Sequence, residues 1–342
     1  MAIEISPLLL PDSAEAFSFL SFGRQVKGFD PTNFTQEEFA AIENALYKHG
    51  LLLFRNVDLS PEKQYTLNSL IGNGTGYNHE GITGATLKHP SHMTFHKTYV
   101  PPEDEAKGAT RFFRRHINAA LYDRRTPKVT TLYAINVPKG PRQTCRYDDG
   151  TGDELPVPLG TTAFISGKTM FEILPPELKS LAVRSKVKYA PLPYVWMVHA
   201  HDVSTGLGLE SEGIGDPIRG APVVGGGEAD GASCSMEEYG YGRAPWTGGK
   251  KEGALYPDGA HLTDLKEVRE LLYKMQRSGI APKLVYPHDW NEKDLVLFHN
   301  RGVLHSVVGA FNEDQVRAFH QCNLAASDDP VGPTADDVKK WS

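Results

Sequence analysis

The sequence predicts a mainly β fold with helices packed outside the sheets, an α+β class, and three observations carry that expectation. From about residue 126 onward, short apolar runs of strand length recur between Gly and Pro punctuation. Helical spacing is confined to a few capped segments that flank these runs. The chain has 342 residues, 40% of them hydrophobic and 23% charged, an ordinary globular composition with enough apolar material for a core.

Taken in order, Thr35 and Glu38 have the spacing of a capping box, Phe39, Ile42, Ala45 and Leu46 follow at helical spacing, and Gly50 stops that helix. Residues 51–54 are an apolar run of strand length, and Ser60 with Pro61 opens a second helix with proline at its first position. Residues 129–137, 155–159, 162–166 and 187–195 are expected as strands. Residues 168–174 and 176–184 are short helices, and Thr263 caps a longer one carrying Leu265, Val268, Leu271, Leu272 and Met275 on one face. Residues 294–298 and 316–324 complete the strands, and 328–342 form a polar surface tail. The whole of 1–342 is expected as a single domain. Within it, residues 211–250 stand apart: they hold eleven of the 33 glycines and little apolar periodicity, the composition of a disordered segment.

Lys plus Arg number 36 against 42 Asp plus Glu, a net charge of −6, so no basic field exists to draw in nucleic acid or an anionic membrane. Leu8, Leu9 and Leu10 follow Glu4 and run into Pro11 and Asp12, unlike a signal or membrane-spanning segment. Cys145, Cys234 and Cys322 are widely spaced, odd in number and without a CxxC pair, which implies reduced thiols rather than a disulfide framework. A cytoplasmic location follows.

Thirteen histidines are the richest source of metal ligands. A facial triad needs His-x-Asp or His-x-Glu on one strand plus a distant His, because residues i and i+2 project from the same side and reach one ion. No histidine has Asp or Glu two positions later; the nearest approach is His116-Ile117-Asn118. An asparagine offers a neutral carbonyl oxygen, a weaker donor for Fe(II) than a carboxylate. His199-Ala200-His201 has the same spacing, with a polar loop as its plainer reading. Judged singly, His116 and His305 are hydrogen-bonded strand histidines, Arg317 a surface arginine, Thr162 a β-former, and Gln321 and Asn323 water-facing amides. Residues 148–154 superficially suggest a calcium loop, but lack its ligand spacing and are expected as a hairpin turn.

Shared patterns change those odds. Phe298-His299-Asn300-Arg301-Gly302-Val303-Leu304-His305, followed by Arg317 and Gln321-Cys322-Asn323, resembles the C-terminal signature of the taurine-dioxygenase-like family of Fe(II)- and 2-oxoglutarate-dependent oxygenases. Residues 115–122, 143–154 and 160–167 are similar to the fungal 2-oxoglutarate-dependent xanthine dioxygenase branch of that family. The likeness covers residues 30–210 and 252–327 and leaves out the Gly-rich stretch.

The resemblance implies a double-stranded β-helix core, a jelly roll of cupin type. It also implies Fe(II), with 2-oxoglutarate and O2 as co-substrates, and a small-molecule substrate, xanthine, hydroxylated to uric acid with release of succinate and CO2. His116 and His305 match the iron-binding imidazoles, and Asn118 occupies the carboxylate position. Thr162 matches the threonine that helps hold 2-oxoglutarate, and Arg317, twelve residues past His305, the arginine that pairs its far carboxylate. Gln321 and Asn323 lie where that branch contacts the purine, and Lys88 is a further substrate contact. Two positions depart from the pattern: Asn118, and Arg115 where the family has Trp, which sets a cation beside the metal position; both weaken iron binding. Two alternatives stay open, the same chemistry on another small molecule of secondary metabolism, or a pseudoenzyme that keeps the fold without turnover.

Overall fold

A computed structural model describes residues 2–72, 74–78, 86–88, 102–112, 115–118, 125–188, 200–202, 209–211, 233–235, 255–256, 260–308 and 316–341. The strands are β1 (Glu4–Pro7), β2 (Arg24–Lys27), β3 (Leu51–Phe54), β4 (Gly74–Asn78), β5 (Thr86–Lys88), β6 (Ala109–Thr110), β7 (Val129–Asn136), β8 (Gln143–Arg146), β9 (Glu154–Val157), β10 (Thr162–Ser166), β11 (Lys186–Lys188), β12 (Ala200–Asp202), β13 (Leu209–Ser211), β14 (Ser233–Ser235), β15 (His261–Leu262), β16 (Tyr286–His288), β17 (Leu295–His299), β18 (Val303–Val307) and β19 (Ala318–Ala326). The helices are α1 (Gln36–His49), α2 (Pro61–Gly72), α3 (Pro102–Glu105), α4 (Gly167–Glu172), α5 (Pro176–Arg184), α6 (Leu265–Arg277) and α7 (Ala335–Trp341).

Strand alternation explains the layers. The largest sheet runs β1-β2-β3-β17-β7-β19-β4, with β5 also on β19, and every pair is antiparallel except β2 with β3. Leu132 and Ala134 of β7, Val296 and Phe298 of β17 and Phe319 of β19 point inward, against Phe164, Tyr286 and Val303 of a second sheet, β16-β10-β18. The alternate residues Tyr133, Leu295 and Leu297 point outward under Ile42, Leu46, Leu67 and Ile71 of α1 and α2. Two facing antiparallel sheets with helices outside one of them is the expected jelly-roll layering.

Several expected elements form for the expected reasons. Thr35 Oγ1 accepts from Glu38 N (3.2 Å) while Thr35 N donates to Glu38 Oε2 (2.8 Å), so α1 starts on a full capping box. Gly50 ends it with φ 74°, and a Cβ there would crowd Val303 and Phe22 at 3.2 and 3.3 Å. The cap of α6 is Asp264 rather than Thr263: Asp264 Oδ1 accepts from Glu267 N at 2.9 Å, since both types cap and the residue in register with the first turn takes the role.

The stretch between β8 and β9 is a turn of a hairpin. Its carboxylates are engaged within the chain: Arg277 and Tyr273 donate to Asp149, and Arg277 to Asp153. The polar tail carries α7, whose Trp341 meets Phe171 edge-on at 5.8 Å. Of the strand expected over residues 187–195, only the portion within β11 is described. Most of residues 211–250 lie outside the described residues; within them β14 pairs with β11 and β15. His199 also lies outside, and the backbone of His201 sits opposite Glu210 in the β12–β13 pair.

Candidate active site

The site is built where the inward face of β19 meets β10 and β18. Arg317, just before β19, Phe319, Gln321 and Asn323 alternate onto that inward face, as the period of two requires. His305 sits on β18 and His116 in a short segment that reaches β18 through an isolated antiparallel bridge. Their backbones exchange hydrogen bonds, His116 N to His305 O at 3.0 Å and His305 N to His116 O at 2.9 Å. The ring centroids lie 4.3 Å apart, and Phe298 and Phe164 back the His305 ring at 5.1 and 6.3 Å.

Asn118 is buried, and Asn300 clamps its backbone from both sides: Asn118 N donates to Asn300 Oδ1 (2.7 Å) and Asn300 Nδ2 donates to Asn118 O (2.8 Å). Asn300 belongs to the turn between β17 and β18, so the turn that leads into His305 also fixes the residue two beyond His116. The Asn118 side chain donates from Nδ2 to Thr130 Oγ1 (3.5 Å), which leaves its lone-pair atom Oδ1 without a hydrogen bond among the described residues. Two imidazoles and one amide oxygen match Fe(II) in donor type, and the set brings no negative charge. Among the described residues, no group of three His, Cys, Asp or Glu side chains could hold a metal ion. Arg115, one position before His116, lays its guanidinium over Phe112 and Tyr147, 4.9 and 5.4 Å from the ring centroids. Adjacent residues of an extended segment project to opposite sides, so this cation is aimed into the aromatic cluster beside β8 rather than at the imidazoles.

Thr162 and Arg317 are brought together. Arg317 Nη2 donates to Thr162 Oγ1 at 2.7 Å and its Nε to Gly160 O at 2.9 Å, while its Cζ lies 3.8 Å from the centre of the Phe319 ring. Arg317 is 3% exposed, and no carboxylate among the described residues pairs with it. Burial pushes the guanidinium down to about 9. A buried cation with its Nη1 pair uncommitted has the donor chemistry to receive a carboxylate. Gly160 makes room: its φ is +72°, and a Cβ there would come within 2.7 Å of Pro138 Cγ and 3.6 Å of Arg317 Cδ.

Other parts of the site carried no recognisable sequence signal. Trp290 Nε1 donates to Thr162 Oγ1 at 3.2 Å, and its indole meets His288 edge-on at 4.4 Å and Phe319 at 4.7 Å. Behind it, His288 Nε2 contacts Asp294 Oδ2 at 3.3 Å, Tyr286 Oη lies 3.0 Å from His288 Nδ1, and Arg55 pairs with Asp294. Thr130, directly opposite Asn323 in the β7–β19 register, donates its hydroxyl to Asn323 Oδ1 at 2.6 Å. Gln321 stands opposite Leu132, and Lys88 of β5 opposite Ala318, one residue from Arg317.

Comparison with known proteins agrees with this architecture. Residues 9–323 match the family described as taurine catabolism dioxygenase TauD, TfdA family. The chain is 43% identical to the alpha-ketoglutarate-dependent xanthine dioxygenase of Neurospora crassa, over 98% of this chain and 90% of that protein. It is 42% identical to that of Emericella nidulans, over 96% and 98% of the two chains, and 37% identical to that of Schizosaccharomyces pombe, over 98% and 91%. Among solved structures, a taurine dioxygenase from Burkholderia xenovorans superposes with TM-score 0.55 at 15% identity, covering 99% of each chain. AAD-2 in complex with Mn(II) and N-oxalylglycine does so with TM-score 0.53 at 18% identity, over 97% of this chain and all of that one. At such identities these structures bear on the fold alone.

Proposed function

The chain belongs to the TauD, TfdA family of dioxygenases, and from that premise we propose that it hydroxylates xanthine to uric acid, consuming 2-oxoglutarate and O2 and releasing succinate and CO2. The observation that carries the reading is the buried pair of Arg317 and Thr162, a cation and hydroxyl without a carboxylate partner among the described residues, in which Arg317 continues the strand face that bears Gln321 and Asn323. The names of the three fungal relatives supply the substrate and the co-substrate.

In this reading His116, His305 and the Asn118 carbonyl oxygen hold Fe(II). The metal, when bound, supplies the site at which 2-oxoglutarate and O2 react, coupling decarboxylation to oxidation of the substrate. The protein's own work is positioning. Arg317 pairs the far carboxylate of 2-oxoglutarate through its open Nη1 edge. Thr162 Oγ1 already accepts from both Arg317 and Trp290, so its lone pairs are occupied and its proton is free to be donated to the same carboxylate. Asn323 and Gln321 orient the purine by amide hydrogen bonds, and Lys88, on the neighbouring β5 opposite Ala318, is a further substrate contact. Phe298 and Phe164 keep water from the back of the His305 ring.

Among the described residues, no helix is long and apolar enough to cross a membrane. Cys145 and Cys322 are buried thiols, consistent with a reducing compartment, and we place the enzyme in the cytoplasm with a small molecule as its partner. The test is incubation of the purified chain with Fe(II), 2-oxoglutarate, xanthine and air, following uric acid and succinate together. Equal yields of the two products support the reading. Succinate without uric acid points to a different substrate, and neither product points to a chain that binds without turnover.

A further inference from the structure

Asn323 and Gln321 occupy the same face of β19, but only Asn323 has a polar partner across from it on β7. Antiparallel register on β7 sets Asn323 directly opposite Thr130, whereas it sets Gln321 opposite the apolar Leu132. Thr130 is 0% and Asn323 2% exposed, so their contact is shielded from water. A hydroxyl owns one proton. The Thr130 proton lies on the 2.6 Å contact to Asn323 Oδ1, and the hydroxyl oxygen accepts from Asn118 Nδ2 at 3.5 Å. The hydrogen bonds therefore run in one direction, from the Asn118 amide to the Thr130 hydroxyl to the Asn323 carbonyl.

An asparagine whose carbonyl is taken in this way presents its Nδ2 protons to whatever lies in front of it. We propose that Thr130 is a specificity-determining residue: by fixing the Asn323 amide with Oδ1 turned toward the neighbouring strand, it makes Asn323 a donor toward the substrate, matched to an oxo group or a ring nitrogen of a purine and mismatched to an exocyclic amino group. The proposal deepens the xanthine reading and rests on it for the identity of the ligand. Asn118 gains a role in the same step. A carboxylate at that position takes the Thr130 proton for itself, because charged acceptors outcompete amides, and the Asn323 amide is then released to turn. The residue at the metal-carboxylate position and the polarity of the substrate contact are linked through one hydroxyl.

The test compares Thr130→Val, which keeps the shape and removes the hydroxyl, with Thr130→Ser, which keeps the hydroxyl. The first readout uses no ligand: the side-chain amide proton pair of Asn323 in a nuclear magnetic resonance spectrum, assigned by its loss in Asn323→Asp. The pair is expected to shift in Thr130→Val and to hold in Thr130→Ser. The second readout is the ratio of calorimetric dissociation constants for xanthine and for guanine or isoguanine, each of which replaces one oxo group with an amino group. For whichever of these two the natural chain rejects more, Thr130→Val is expected to lower the discrimination by about tenfold, the scale of one buried hydrogen bond, while Thr130→Ser retains it. A merely structural role for Thr130 does not change this ratio. An Asn323 pair that stays in place in Thr130→Val overturns the proposal, and so does an unchanged ratio, or Val and Ser variants that shift alike. If the natural chain binds no purine, the functional reading fails on its own account, and the Asn323 signals alone decide the orientation.

Discussion

His116 and His305 face one another across a two-residue antiparallel bridge, each backbone amide donating to the other's carbonyl at 3.0 and 2.9 Å and the rings 4.3 Å apart between centroids. The positions of the two imidazoles are thus tied to each other by backbone geometry. What the pair lacks is charge, because the residue proposed above as the third donor, Asn118, carries a neutral amide.

Asn118→Asp is expected to tighten Fe(II) binding by at least about tenfold, since it adds a formal charge at the proposed ligand position while the Asn300 clamp on the backbone of residue 118 is untouched. Anaerobic titration of metal-free protein with Fe(II) in the presence of 2-oxoglutarate, following the visible charge-transfer band, compares the two chains. Equal affinities would remove position 118 from the ligand set.

Trp290→Phe is expected to weaken 2-oxoglutarate binding about three- to tenfold and to leave xanthine affinity unchanged. The indole N–H takes one lone pair of Thr162 Oγ1, and its loss lets the hydroxyl proton swing away from the co-substrate. Titration calorimetry with each ligand separates the effects. Equal weakening of both ligands would mean that Trp290 shapes the site only in bulk.

How much of this was legible in the sequence depended on whether each signal was local. The α1 cap, Gly50 and the β3 run are written in contiguous residues, and the structure places them at the expected bounds. Thr162, Arg317 and the two histidines came from motif likeness, and the structure brings both pairs together. Trp290 and Thr130 carry no local signal, because their roles arise across separations of 128 and 193 residues, and Asn300 stands inside the C-terminal signature while its clamp on Asn118 spans 182. Nothing near Thr130 distinguishes it from the other threonines of a β-strand; its role appears only when register sets it opposite Asn323. From the sequence, Arg115 is expected to set a cation beside the metal position. Its stacking on Phe112 and Tyr147 depends on strand direction and on a hairpin distant in sequence.

The affinity for 2-oxoglutarate should fall as pH rises through about 9. Burial depresses the Arg317 guanidinium to that value, and a carboxylate binds the protonated form, so the free protein gives up the proton that the complex needs once pH exceeds it. Below about 9 the affinity should be flat on this account. Glutarate, which keeps the far carboxylate, should follow the same curve, and a profile that stays level well above that pH would argue against Arg317 as the carboxylate receptor.

Acid should loosen the wall behind the co-substrate. His288 is fully buried against Trp290, and burial holds it below its ordinary value of 6.5 despite the opposing pull of Asp294. The unfolded chain therefore takes up a proton below about pH 6.5 that the folded chain resists, so the stability associated with His288 is present above that pH and is lost as pH falls toward the depressed folded value. One such group contributes a slope of at most about 1.4 kcal/mol per pH unit. His49, His299 and His320 are shifted in the same direction, so the total slope is shared. Subtracting the denaturation profile of His288→Gln from that of the natural chain isolates the one proton. Parallel profiles below pH 6.5 would show that His288 is protonated alike in both states, and that the Asp294 and Tyr286 contacts, rather than a neutral imidazole, hold Trp290 against Thr162.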